Sequence, residues 1–101
     1  MYSKLRTLNL AVEFYEKASH LKLKGAMRNQ YDRALLSIVL NISEGSSKPS
    51  AKERRKYYFI SYGSMNEVKT LLHLAKIHQF NEDLDSLGAH LWKLAHNPGG
   101  S

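Results

Sequence analysis

The sequence predicts an all-α fold, an antiparallel up-down-up-down four-helix bundle, and three observations predict it. Apolar residues recur at three- and four-residue spacing in four separate stretches. Short connections holding glycine, proline or a capping serine divide those stretches. Connections so short make consecutive helices antiparallel neighbours, and no strand is required to account for the pattern.

Taken in order, Leu5, Leu8, Val12 and Tyr15, widened by Ala11, Phe14 and Ala18, place a first amphipathic helix over roughly residues 3–20. Leu21 to Gly25 breaks the period, because glycine weakens a helix and the neighbouring lysines leave the stripe. A second helix carries Met27, Tyr31, Ala34, Ile38 and Ile42 on one face, yet Leu35, Leu36, Val39 and Leu40 make its middle apolar all round. Such a helix must be covered on every side, by its own bundle or by another subunit. Gly45 is expected to end it as a left-handed cap, with Pro49 holding Lys48 out of helical geometry.

Ser50 followed by Glu53 reads as a capping box opening a third helix. Its stripe passes through Tyr57, Ile60, Met65, Val68, Leu71, Leu72 and Ala75 to Gln79, roughly 40 Å of helix. Asn81 is expected to cap the fourth helix, where Leu84, Leu87, Leu91 and Leu94 alternate and Glu82, Asp83 and Asp85 favour the positive end of the helix dipole. A chain of 101 residues forms one core rather than two, so residues 1–96 make one bundle and 97–101 a flexible tail.

The 43% hydrophobic and 24% charged composition excludes disordered and collagen-like chains. With no cysteine, disulfide frameworks, thiolate metal sites and cysteine nucleophiles drop out, and a reducing, cytoplasmic setting is expected. No apolar run approaches the roughly 18 residues that span a bilayer, so no membrane role is expected. The histidines His20, His73, His78, His90 and His96 include no pair at four-residue spacing, and no phosphate-binding glycine loop occurs. Neither a cofactor nor a small-molecule substrate is implied, and nothing spaces a nucleophile against a base, so no enzymatic activity is expected.

Charge is the stronger lead. The net +6 is concentrated: Lys48, Lys52, Arg54, Arg55 and Lys56 face a single acid, Glu53, and Lys22, Lys24 and Arg28 form a second group around Gly25. In a bundle these groups fall at opposite ends. The first group has three readings: a phosphate-binding surface for RNA or DNA, a solvated helical turn, or a contact for an acidic protein. The adjoining Tyr57, Tyr58 and Phe59 favour the first, since cations beside aromatic rings hold phosphates and stack unpaired bases.

Inside the bundle, Arg33, Ser37, Asn41 and Glu44 form one polar row, and Ser61, Ser64 and Glu67 another around Gly63. Folding the hairpin about residues 48–50 pairs Arg33 with Glu67 and turns Asn41 toward Tyr57 or Ser61. The row is read as fixing helix register. The missing side chain of Gly63 is expected to let another backbone approach.

In combination, Gln30-Tyr31-Asp32-Arg33-Ala34, Ser37-Ile38, Asn41-Ile42-Ser43-Glu44-Gly45, Ser50 with Glu53, and Gly63-Ser64 with Glu67 resemble the bacterial four-helix family of 23S ribosomal RNA intervening-sequence proteins. Tyr62 and Ser61 depart from the family's usual residues before Gly-Ser. That family includes the accessory variability proteins of diversity-generating retroelements. The resemblance implies a homopentamer whose joint basic surface engages RNA or a reverse transcriptase. A structural adaptor that binds another protein and no nucleic acid is the alternative.

Overall fold

A computed structural model describes residues 3–99, and its first helix opens at Ser3, whose Oγ accepts the Arg6 amide at 3.1 Å. Helix α1 spans Lys4–Ala18, α2 Ala26–Ser46, α3 Ala51–Leu74 and α4 Asn81–His96. Among the described residues there is no strand.

Direction is read from paired contacts. Gly45, Ile38 and Ser37 of α2 meet Tyr58, Ser61 and Ser64 of α3, so one index falls as the other rises. Phe59, Tyr62 and Lys69 of α3 face His96, Trp92 and Asp85 of α4 in the same sense. Lys17, at the end of α1, bonds Asp83 at the start of α4 at 2.9 Å and closes the ring. Each helix therefore touches two neighbours, and the diagonal pairs stay apart.

Phe14, Tyr31, Leu35, Ile38, Val68, Leu72, Leu84, Leu87 and Leu91 fill the centre. Each large apolar side chain so buried contributes about 1.5–3 kcal/mol. Tyr31 carries a polar anchor as well: its hydroxyl donates to the Ala18 carbonyl at 2.7 Å, and burial pushes its pKa up to about 12. The bond ties the end of α1 to α2 across the Leu21–Gly25 break, where Gly25 turns with φ +60°.

Four sequence expectations are corrected. Helix α3 stops at Leu74 rather than running to Gln79, because Lys76 adopts φ +60°. The Ile77 amide then reaches the Leu72 carbonyl at 2.9 Å and the Lys76 amide reaches His73 at 3.0 Å. This closure is usually marked by glycine, and here a lysine makes it. Asn81 does not cap α4: Phe80 holds that position, its ring buried edge-on against Phe14 at 5.7 Å, so packing sets the helix start. Gly45 is not a left-handed cap but a buried helical residue. Gly63 lets no backbone close: it is exposed, with nothing within 4 Å of where a Cβ would sit.

The all-round apolarity of α2 is only partly spent inside. Leu36 and Leu40 stay 45% and 55% exposed, and Leu5 and Val12 of α1 and Ile60 of α3 extend the outward apolar surface.

The two glycines give opposite expectations for one substitution. A Cβ on Gly45 would lie 2.9 Å from Tyr58 Cε1 and 3.0 Å from Tyr57 Cβ. Gly45→Ala is therefore expected to cost about 1–3 kcal/mol through overpacking. Gly63→Ala should stabilise by about 0.5–1 kcal/mol, since alanine is the better helix former in open space. Thermal unfolding of the two variants checks this: Tm falls for the first and rises for the second.

Candidate nucleic-acid interface

Ser50 sets the direction of the basic segment. Its Oγ accepts the Glu53 amide at 3.1 Å, and the same hydroxyl lies 3.0 Å from Glu53 Oε1. The glutamate thus reaches back to the hydroxyl rather than to the serine amide, a variant of the capping box. Lys52, Arg54, Arg55 and Lys56 follow in the first two turns of α3, where the cations of the first turn, Lys52 and Arg54, oppose the helix dipole at a cost of about 0.3–1 kcal/mol each. Helix stability does not account for them there.

The five cations divide into two kinds. Lys48 pairs with Glu44 at 2.9 Å and lies 5.3 Å from the centre of the Tyr57 ring; the bond to Glu44 raises the lysine's pKa. Arg54 turns inward: its Nε donates to the Pro98 carbonyl at 2.8 Å and its Nη1 to the Lys48 carbonyl at 2.9 Å. It acts as a clasp between the α2–α3 connection and the segment after α4. Pro98, within the expected tail, is buried, while Asn97 and Gly99 beside it are exposed. The rest of that expected tail, Gly100 and Ser101, lies outside the described residues.

Lys52, Arg55 and Lys56 point to solvent, and among the described residues none has an acid within ion-pair distance. Lys56 lies 5.7 Å from the Tyr57 ring centre, so the ring sits between two ammonium groups. Lys22, Lys24 and Arg28 are also exposed, but at the far end of a body 40 Å long. The structure therefore does not gather the eight predicted cations into one site.

The predicted polar row is likewise divided. Ser37 and Ser64 share a 2.7 Å hydrogen bond across the α2–α3 seam. Asn41 donates to the Ser37 carbonyl and hydroxyl, each at 2.9 Å. Ser61, fully buried, donates to the Ile38 carbonyl at 2.7 Å. Arg33 and Glu67, in contrast, make no ion pair with each other. Small serines bring the two helices together, so the longer side chains splay outward: Arg33 bonds Gln30 one turn back, and Glu67 is exposed. Glu44 belongs to the Lys48 pair instead.

Sequence reasoning missed an aromatic group beside the basic end. Phe59 and Tyr62 of α3 meet Trp92 and His96 of α4 on the outer surface. Spacings of three and four within each helix were the available signal, but only the antiparallel register brings the two pairs together. Among the described residues, no group of three or more His, Asp or Glu side chains is placed to hold a metal ion. No helix among the described residues is long and apolar enough to cross a membrane.

A family model described as 23S rRNA-intervening sequence protein matches residues 3–95. No curated protein and no solved structure matches the chain.

The division between Arg54 and Arg55 is directly testable. Arg54→Ala should lower stability by about 1–2 kcal/mol, since two charge-assisted hydrogen bonds are lost. Arg55→Ala should stay within about 0.5 kcal/mol of the parent, as exposed substitutions usually do. Urea unfolding of both variants checks the ordering.

Proposed function

The chain belongs to the 23S rRNA-intervening sequence protein family, and from that premise we propose that it is an oligomeric RNA-binding accessory protein that catalyses no reaction itself. The observation that carries this reading is the exposed trio Lys52, Arg55 and Lys56, unpaired at the start of α3 while the neighbouring Lys48 and Arg54 are engaged within the protein. Unpaired surface cations bring the fold little benefit, and Lys52 in the first turn opposes the helix dipole, whereas a phosphate chain that binds them releases counterions. Binding of this kind follows charge rather than sequence, because base edges are read by other devices.

Self-association completes the reading. Leu5, Leu36, Leu40 and Ile60 are between 42% and 67% exposed, an apolar surface that a second protomer can cover. A ring of five, as in the accessory variability proteins this sequence resembles, would multiply the +6 of each chain and attract polyanions over a longer range. By the same resemblance, the partner in action is a reverse transcriptase copying an RNA template in the cytoplasm. The apolar surface also suits an adaptor that binds another protein and no nucleic acid, and the measurements below separate the two.

Anisotropy of a labelled single-stranded RNA, followed over a salt series, tests the proposal. The combined Lys52→Ala, Arg55→Ala and Lys56→Ala variant should bind at least about tenfold more weakly in dilute buffer, with a salt slope shallower by about 2. Its helicity should be unchanged. Equal affinity and slope in parent and variant would discard this surface, and no binding by the parent would favour the adaptor. Sedimentation should give a particle of several 11.5 kDa protomers, reduced toward one by Leu40→Glu.

A further inference from the structure

Of the aromatic group on the α3–α4 seam, Tyr62 packs partly against the core, whereas Phe59, Trp92 and His96 are exposed. Phe59 lies edge-on to His96, with ring centres 5.3 Å apart. His96 lies 3.9 Å from Trp92 at an interplanar angle of 40°, and Trp92 lies 5.5 Å from Tyr62. The His96 Nδ1 is 2.8 Å from the Trp92 carbonyl, which holds the imidazole in place beside the indole. Trp92 nevertheless remains 46% exposed and Phe59 38%. Next to them an open hollow of about 280 Å³ has Tyr62 and Trp92 as aromatic walls, Gly88 without a side chain, and Asn66 and Lys69 at its rim. One flat heterocycle fits such a space.

The charge around this surface selects its occupant. Arg55 stands one turn before Phe59 on α3, Lys93 adjoins Trp92 on α4, and Lys52 and Lys56 lie at the same end; all four are exposed. The acid at the hollow, Asp85, is 3.7 Å from Lys69. A second copy of the chain would bring like charges together here, whereas a polyanion is attracted. The exposed leucines of α2 lie away from this seam, because α2 and α4 are diagonal in the bundle and do not touch. Self-association centred on Leu36 and Leu40 of α2 therefore leaves Trp92 and His96 of α4 open, although Ile60 lies on α3 itself.

We propose that Phe59, Tyr62, Trp92 and His96 form a stacking platform for unpaired bases of single-stranded RNA, whose phosphates pass over Arg55, Lys56 and Lys93. The proposal rests on the RNA-binding reading above and adds to it a preference for single strands over duplex. Base–aromatic stacking tolerates any sequence, because every base presents a π-face, and it is denied to bases already paired in a helix.

Trp92 is the chain's single tryptophan, so its emission reports on the platform alone. A short uridine-rich RNA with an end label is titrated while label anisotropy and tryptophan emission are recorded together, alongside a duplex RNA of equal length. Single-stranded RNA should quench the indole along the same isotherm as the anisotropy, and the duplex should bind with little quenching. Trp92→Ala should weaken single-strand binding by about tenfold, the loss of one stack, and leave duplex binding unchanged. Trp92→Phe, which keeps a ring, should restore most of that affinity. Anisotropy that rises without quenching, or equal quenching by duplex, would overturn the platform and leave the RNA-binding reading standing. Absence of any anisotropy change would overturn both.

Discussion

The arrangement depends on the close approach of α2 and α3 at Gly45. The buried Tyr58 ring fills the place a side chain would occupy there, and only a residue without a Cβ admits it. With the helices this close, Ser61 reaches the Ile38 carbonyl and Ser37 reaches Ser64. The Tyr58 hydroxyl is 3.3 Å from Ser46 Oγ, which itself donates to the Ile42 carbonyl. Every buried side-chain polar atom among the described residues is satisfied, as a low-dielectric seam requires. The register set here then determines what lies at the end of the bundle. The connection after Ser46 is short, Ser50 caps the start of α3, and Arg54 falls where it can clasp both Lys48 and Pro98.

That clasp links structure to the proposed role. By holding the segment after α4 against the start of α3, it keeps His96 beside Phe59, with Trp92 against the imidazole. Adjacent cations therefore do different work. Arg54 and Lys48 are committed to the carbonyls and carboxylate of their own chain, while Lys52, Arg55 and Lys56 face water. Arginine suits the inward position because its planar fork donates in two directions at once, which a lysine ammonium on a flexible stem does less well.

Much of the fold was legible because helical period and capping chemistry are local. The presence of all four helices, the break at Gly25 and the Ser50 cap follow from spacing and from one side-chain oxygen meeting one amide. The stripes did not fix every buried face: Leu5 and Val12 of α1 and Ile60 of α3 stay exposed, and α1 buries Ala11, Phe14 and Ala18 instead. What sequence missed is decided at a distance. Helix α3 ends in a left-handed lysine that no glycine announces, and α4 starts at Phe80 because Phe14 buries that ring. Gly45 and Gly63 look alike in sequence, yet one faces a tyrosine ring and the other open space. The Arg33–Glu67 pairing failed because opposite charge at matching register does not bring two side chains into a seam already closed by serines. At the candidate site the cations were legible from composition. Which of them are free, and that Trp92 and His96 join Phe59 and Tyr62, needed the antiparallel register of α3 and α4.

The most direct examination of the central claim, that the exposed start of α3 and the end of α4 form one surface for single-stranded RNA, is a backbone amide NMR titration with unlabelled RNA. The account predicts shift changes concentrated at residues 52–62 and 92–96, with the Trp92 indole resonance among the most affected, and little change along α1 and α2. Changes confined to Lys22–Arg28 and its surroundings, or an unaltered spectrum at excess RNA in dilute buffer, would contradict it.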